Sequence, residues 1–262
     1  MRRLWRVYRR FFASSFQRDL QFRANFWAKV IRNIVWMLYF LLILHVIYLN
    51  TDSVAGWDKG DAYILMATCF LMSATIYAFF GDNLLEIPEK VRRGTLDYDI
   101  IKPIDTQFLV SVRKFKLDEL GTLVVGVLLV FTGVRMGGYH PSGFDAGAYA
   151  LLVVCSTVIF YCFKLSLMTL SVWFVRVDNL WVLGDSVVTL ARYPLEIFGP
   201  NLQRIFTYFV PLAFIATVPS KALMGNLPPI FLLYGVLWAL LFLALSRWFF
   251  RFALRHYTSA SS

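Results

Sequence analysis

The sequence predicts an all-α integral membrane protein with six transmembrane helices, an N-terminal amphipathic interfacial helix, and a re-entrant extracytoplasmic hairpin between spans five and six. Of the 262 residues, 59% are hydrophobic and only 16% are charged, whereas soluble domains carry about 25% charged residues. Apolar stretches of about 20 residues, the length that crosses a bilayer, recur along the chain. This composition excludes a soluble enzyme, because one compact core could not cover so much apolar surface.

The first 29 residues are predicted to form the interfacial helix. Tyr8, Phe12, Phe16 and Leu20 recur every four positions among many arginines, which places the apolar side chains along one side of a helix. Such a helix lies on a membrane surface with its apolar side in the lipid boundary. Packing of the same side against other parts of the protein is the alternative.

Residues 30–262 are predicted to form a single transmembrane domain. A polar turn at 50–60 separates the first two spans, and Gly137, Gly138 and Pro141 end the third. The predicted spans are 30–49, 61–80, 117–136, 147–174, 180–198 and 228–250.

Basic residues predict which loops face the cytoplasm, because short loops rich in Lys and Arg stay on that side. The N-terminal segment through Arg32 contains nine basic residues and the 82–116 loop contains seven, whereas the turns at 50–60 and 137–147 contribute only Lys59. Basic residues also cluster at the end of the last span, so both termini are predicted to be cytoplasmic and the number of crossings even. The 199–226 stretch, whose apolar run is short and contains Pro211, then forms a re-entrant hairpin.

No motif for catalysis or for cofactor binding is recognisable. The sequence contains no GxxxxGK[ST] phosphate loop, no GxSxG and no HExxH. We therefore expect no catalytic residue, no metal site, no cofactor on this chain and no nucleic-acid partner. The histidines and the cysteines are too scattered to form a metal cluster: His45, His140, His256, Cys69, Cys155 and Cys162.

The 82–116 loop is predicted to contain a short amphipathic element that projects into the cytoplasm. Pro88 favours a helix start, Gly94 permits a left-handed stop, and Pro103 ends the run. Leu96, Ile100 and Ile101 would form its apolar side. An ordinary charged loop is the alternative.

Residues 93–103, RGTLDYDIIKP, resemble the Gly-x-Leu-Asp...(Lys/Arg)-Pro signature that follows the second span of ABC-type export permeases, the superfamily of daunorubicin-resistance and polysaccharide exporters. Residues 193–200 and 208–214 are similar to the same superfamily's fifth span, proline exit and re-entrant helix pair. The resemblance covers nearly the whole chain.

The resemblance implies a permease subunit of an ATP-driven exporter in the bacterial cytoplasmic (inner) membrane. Such a subunit has no ATPase activity of its own. It pairs with a second permease chain, homologous or identical, and with two copies of an ATP-binding subunit that carry the ATP and Mg. In these families the loop after span two is a coupling helix that rests on the ATPase. On this chain the contact would fall on Glu89, Arg92, Arg93, Gly94, Leu96 and Asp97.

Four of the charged residues within the predicted spans, on spans four and five, are candidates for function, because charges in a membrane are costly and are usually paired or functional. Lys164 on span four and Asp185 on span five lie at similar distances from the connector near residue 174, which predicts a pair. This pair either locks two helices or lines the transport path. Arg192 and Glu196 are four residues apart on one predicted helix and are expected to pair with each other.

A secondary transporter and a non-catalytic membrane scaffold are the alternative functions. A secondary transporter normally shows an internal repeat with broken helices at matching positions. No such symmetry is visible in the sequence.

Overall fold

Helices dominate the structure, a computed structural model that describes residues 2–174, 178–208 and 211–258, with the side chains of residues 2–4, 20 and 178 outside the description. The predicted Leu20 contact, residues 175–177 of the connector between spans four and five, and residues 209–210 of the predicted hairpin therefore lie outside the described residues. The α-helices are α1 Arg2–Gln21, α2 Arg23–Ile47, α3 Lys59–Ile76, α4 Asp82–Arg92, α5 Asp97–Ile100, α6 Thr106–Val112, α7 Glu119–Met136, α8 Gly143–Thr169, α9 Asp178–Ala191, α10 Pro200–Tyr208, α11 Thr217–Leu223 and α12 Ile230–His256.

Within the described residues, five helical segments are long and apolar enough to cross a membrane. They are α2, α3 continued through α4, α7, α8 with a short 3-10 extension to Val172, and α12. Helix α2 begins at Arg23, seven residues before the predicted span. Residues 23–29 therefore belong to the first long helix and not to the predicted interfacial helix, because the chain departs from helical geometry only at Phe22, with φ −113° and ψ 56°.

The fifth predicted span is shorter in the structure than in the prediction. Helix α9 ends at Ala191, and a single 3-10 turn follows at Leu195–Ile197. Proline at 194 explains the end, since the residue before a proline is disfavoured in the helical region. A continuous helix over 180–198 was thus a wrong prediction at its C-terminal end, and α9 with 14 residues is shorter than the usual 20-residue span.

Helices α3 and α7 approach each other closely through glycines. A Cβ atom on Gly60 would lie 2.4 Å from the backbone nitrogen of Gly137, and one on Gly133 would lie 2.9 Å from the backbone nitrogen of Ile64. Small residues allow such approach between helices in membranes. This contact fixes the second and third long helices side by side.

The polar turn at 50–60 folds as a small hairpin. Strands β1 (Ser53–Val54) and β2 (Trp57–Asp58) pair antiparallel, with Ser53 opposite Asp58 and Val54 opposite Trp57. Both turn residues between them have positive φ, 52° and 80°, as a two-residue hairpin turn requires. The hairpin ends directly at the start of α3 and places the Trp57 side chain in the core.

Candidate functional site

The 82–116 segment begins as a continuation of the second long helix. Five residues of π-helix, Tyr77–Gly81, join α3 to α4, so that helix runs without a break from Lys59 to Arg92. Pro88 lies inside α4, which makes its predicted role as a helix start wrong. The missing N–H of a proline removes only one hydrogen bond, and the surrounding turns continue the helix through it.

The end of α4 carries a compact group of charges. Glu89 forms ion pairs with both Arg92 and Arg93, residues three and four positions along the helix. Gly94 follows with φ 70°, and its N–H bonds to the Val91 carbonyl at 3.2 Å. The left-handed stop predicted at Gly94 is present, and it turns the chain back at an exposed tip where 71% of the Arg93 side chain is accessible.

The contacts of Leu96 and Asp99 hold the next helical turn, α5, against the rest of the protein. Leu96 is buried among apolar residues of α4, α6 and α8, so it supports the tip and offers no contact surface. The Asp99 carboxylate accepts from Lys90 Nζ at 2.8 Å and from Lys102 Nζ at 2.9 Å. Burial alone would raise the pKa of Asp99, but the two lysines outweigh it and lower that pKa.

Apolar and aromatic side chains are exposed on the outer side of α5. Ile101 at its end is 77% exposed and Tyr98 is also exposed, while Asp97 begins the helix. The predicted apolar side is therefore divided, with Leu96 facing inward and Ile101 facing outward.

Contacts that the sequence analysis missed hold this segment to the helices around it. Asn83 and Lys114 bond reciprocally: Asn83 Nδ2 donates to the Lys114 carbonyl at 2.7 Å, and the Lys114 N–H donates to Asn83 Oδ1 at 2.8 Å. Arg247 on α12 pairs with Asp105 and donates to Gln107 Oε1 at 2.9 Å. No sequence spacing points to these contacts, because each joins residues at least 31 positions apart.

Hydrogen bonds from Arg247 also affect the charge state of Asp105. They are the main cause that lowers the pKa of this carboxyl.

Tyr161 on α8 adds a further contact, since its hydroxyl lies 2.7 Å from Ser111 Oγ on α6. The segment is thus bonded to the helices on both sides of it.

Helix α1 packs against the end of the same segment. The rings of Tyr8 and Phe12 contact the buried ring of Phe115, with centroids 5.1 and 5.5 Å apart. The N–H of Phe115 also donates to Ser15 Oγ at 3.1 Å. Part of the predicted apolar side of α1 therefore lies on protein, as the alternative interpretation held, while Phe16 remains exposed.

Lys164 and Asp185 meet inside the helical bundle. Lys164 Nζ lies 2.7 Å from Asp185 Oδ1 and donates to the Trp181 carbonyl at 2.9 Å. The Lys164 side chain is completely buried, whereas 39% of the Asp185 side chain is accessible. Tyr77, in the π-helical turn, donates to the same carboxylate oxygen at 2.7 Å.

Arg192 and Glu196 do not pair with each other, so that prediction was wrong. Helix α9 ends before Arg192, and the two residues leave it in different directions. Glu196 pairs with Lys221 at 2.5 Å and accepts from Trp57 Nε1 at 2.8 Å. The guanidinium carbon of Arg192 instead lies 4.1 Å from the ring centroid of Phe40.

Comparison with known families identifies the chain. The sequence model of the family described as ABC-2 family transporter protein matches residues 34–261, which is most of the chain. Comparisons with curated proteins and with solved structures gave no match. Together with the long apolar helices, the family match shows that this chain is a multi-pass membrane protein of the ABC-2 transporter family, the permease component of an ABC transporter.

Proposed function

We propose that this permease drives export of its cargo with energy from ATP hydrolysed on partner chains. In this proposal two ATP-binding subunits carry the ATP and Mg, and a second permease chain, identical or homologous, completes the translocation path. This chain contributes no catalytic residue. The complex lies in the bacterial cytoplasmic membrane with both termini of this chain in the cytoplasm.

The observation that carries the proposal is the rigid connection between the exposed tip at Glu89–Gly94 and the membrane helices. The tip ends a helix that runs unbroken from Lys59 to Arg92. The 82–116 segment that contains the tip is also tied to α12 through Arg247 and Asp105. A displacement of the tip by an ATPase would therefore move several long helices together, as rocking between two access states requires.

The structure also supports six crossings. Asp185 near the middle of α9 pairs with Lys164 in the second half of α8, while Glu196 after α9 bonds Trp57 beside the start of α3. The 178–197 segment thus connects the level of the Lys164 pair to the end of the bundle where α3 begins. We assign it as the fifth crossing, completed by the 3-10 turn after Pro194.

A re-entrant course for residues 199–226 is supported by contacts at both of its ends and at its turn. Lys221 pairs with Glu196, so the segment returns to the level at which it started. Between these points, Ser156 Oγ donates to the Phe214 carbonyl. Ser156 lies 13 residues into α8, about 20 Å along its axis at 1.5 Å per residue, and this depth supports a hairpin that enters the bundle.

The test is copurification from native membranes in a mild detergent. We expect a chain that hydrolyses ATP to copurify with the native protein and to be lost from an Arg92→Glu/Arg93→Glu variant, because charge reversal at a docking surface creates repulsion. Arg135→Glu, at an exposed residue near the far end of α7, is the matched control and should retain the partner. An ATPase retained equally by both variants would contradict the assignment of the tip.

ATP hydrolysis by the isolated chain, measured without its partners, is the second part of this test. Purified alone, the chain should hydrolyse no ATP, since it contains no phosphate loop. ATP turnover by a preparation free of other chains would overturn the proposal.

A further inference from the structure

A cavity of about 460 Å³ lies between α2, α3 and α9. Its volume falls in the range of small-molecule sites, roughly 300–1,000 Å³. Aromatic rings of three helices form its apolar walls: Trp36, Phe40, Phe70 and Phe160. It extends along α2 from Arg32 to Phe40, about 12 Å at the 1.5 Å rise per residue of a helix, so it is elongated.

Among the described residues, four buried polar atoms in the cavity wall have no hydrogen-bond partner. They come from α2, α3, α7 and the residue after α9: Asn33 Nδ2, Ser73 Oγ, Thr122 Oγ1 and Arg192 Nε. Buried polar groups in proteins are almost always hydrogen-bonded, and a group left without a partner destabilises the folded protein. All four groups can donate, so together they favour a ligand that accepts hydrogen bonds.

The charge of Arg192 is also uncompensated. Among the described residues, no carboxylate oxygen lies within 4.0 Å of its guanidinium, which rests between the rings of Phe40 and Phe70 at 4.1 and 5.8 Å. Cation–π contacts hold a cation in place without neutralising it. The arginine is therefore positioned but still able to bind an anion.

The other charges that line the cavity are largely satisfied. Asp185 is paired with Lys164 and bonded by Tyr77, while Lys116 is paired with Asp82 at 2.7 Å. The remaining carboxylate, Glu119 at the start of α7, lines the other end of the cavity, where it interacts electrostatically with Arg32, whose guanidinium also donates to Asn33 Oδ1 at 3.0 Å. An acidic group therefore suits the Arg192 end of the cavity and not the Glu119 end.

We propose that this cavity binds a single-chain amphiphilic anion whose phosphate, sulfate or carboxylate group bonds Arg192 and whose apolar part lies along the aromatic walls. The ligand is either transported cargo or a resident membrane amphiphile, since both present the same chemistry. The site is built by one chain, so the proposal stands apart from ATP-driven export.

Quenching of tryptophan fluorescence by 12-bromododecanoate tests the proposal on the purified full chain in an uncharged detergent. Bromine quenches nearby indole rings, and Trp36 lines the cavity. We expect the bromoacid to quench the fluorescence of the native protein in a saturable manner. The matched cation, 12-bromododecyltrimethylammonium, should cause no saturable quenching. Dodecyl phosphate should compete with the bromoacid, and Trp36→Phe should remove most of the saturable signal.

Variants of Arg192 and Ser73 then test whether these residues bind the anionic group. Arg192→Gln should weaken binding of the bromoacid at least tenfold, whereas Arg192→Lys, which keeps the charge, should retain binding within about threefold. Arg135→Gln, an exposed arginine outside the cavity, is the control and should bind as the native protein does. Ser73→Ala removes one donor without altering the arginine and should weaken binding about threefold, which keeps the test valid if Arg192→Gln folds poorly.

Equal affinity of the native protein and Arg192→Gln, or saturable binding of the cation, would overturn the proposal. Native mass spectrometry distinguishes the two sources of ligand. A resident amphiphile should copurify with the native chain and be absent from Arg192→Gln. A transported anion should leave the purified chain empty, and the reconstituted complex should accumulate the bromoacid in vesicles upon addition of ATP.

Discussion

Lys164 Nζ lies 2.7 Å from Asp185 Oδ1, across 21 residues of sequence and between two different helices. The two partners are unequally protected, because the lysine side chain is fully buried and 39% of the aspartate side chain is accessible. Tyr77 supports the carboxylate from a third helix. The pair therefore joins α8, α9 and the π-helical turn after α3 at one point inside the bundle.

Removal of either partner should lower the stability of the protein, but the two variants should lose different amounts. Among the described residues, Asp185→Leu leaves the buried ammonium with the Trp181 carbonyl as its hydrogen-bond acceptor and with no anionic partner, and breaking a buried pair costs about 3–5 kcal/mol. Lys164→Met leaves a partly accessible carboxylate still bonded to Tyr77, so its cost should be smaller. Thermal unfolding in detergent measures both variants.

The double variant, Lys164→Met with Asp185→Leu, should be more stable than Asp185→Leu alone, because no unpaired charge remains. Simple addition of the two single effects, with no coupling energy, would show that the pair contributes nothing to stability. Full stability of the double variant without transport would instead assign the pair to the path.

Gly184 on α9 leaves the space that the Lys164 side chain occupies. A Cβ atom there would lie 2.7 Å from Lys164 Cε and 2.9 Å from Nζ. Gly184→Ala should therefore displace the ammonium and lower the unfolding midpoint, despite the higher helix propensity of alanine.

Gly147 on α8 provides the matched control for Gly184. It is also helical, but a Cβ atom added to it would meet no other atom within 4 Å. Gly147→Ala should leave the midpoint unchanged or raise it slightly. Equal midpoints for the two variants would mean that α9 can shift without disturbing Lys164.

Asp99 should make the stability of the tip depend on pH. Its pKa is lowered in the folded protein, below the usual value of about 3.9. Its contribution is therefore present at pH values above the unfolded pKa and is lost as the pH falls through the lowered folded pKa. Hydrogen exchange of the 93–103 backbone should show faster opening in Asp99→Asn than in the native protein at pH 7.

At low pH the difference between the native protein and Asp99→Asn should shrink, because the native carboxyl becomes neutral as well. Asp52, an exposed residue of the 50–60 turn, supplies the control through Asp52→Asn, which should not alter exchange at the tip. A difference that persists unchanged at low pH would show that charge pairing does not hold α5.

The orientation is open to labelling in intact cells, with the buried native cysteines replaced by alanine. An impermeant maleimide applied from outside should react with a cysteine placed at Ser142 or Asn226, which precede α8 and α12. It should not react at Thr95, directly after the tip. Reaction at Thr95 would reverse the orientation.

The sequence by itself determined the class of protein, the five long helices and the family. Runs of about 20 apolar residues are local signals, and they predicted these helices closely, apart from residues 23–29 and the continuation of the second helix from residue 80 to Arg92. The positive φ at Gly94 was equally predictable, because a glycine after a charged helical turn is a local C-terminal signal.

Only the tertiary structure decided which charged groups meet. Lys164 with Asp185 could be inferred from equal distances to a connector, but Glu196 with Lys221 and Arg247 with Asp105 join residues that no periodicity relates. The same limit explains the error at Arg192, since Pro194 ended the helix and separated it from Glu196. Pairing of charges depends on the positions of side chains brought together by packing, and an isolated sequence pattern specifies only those within a few turns of one helix.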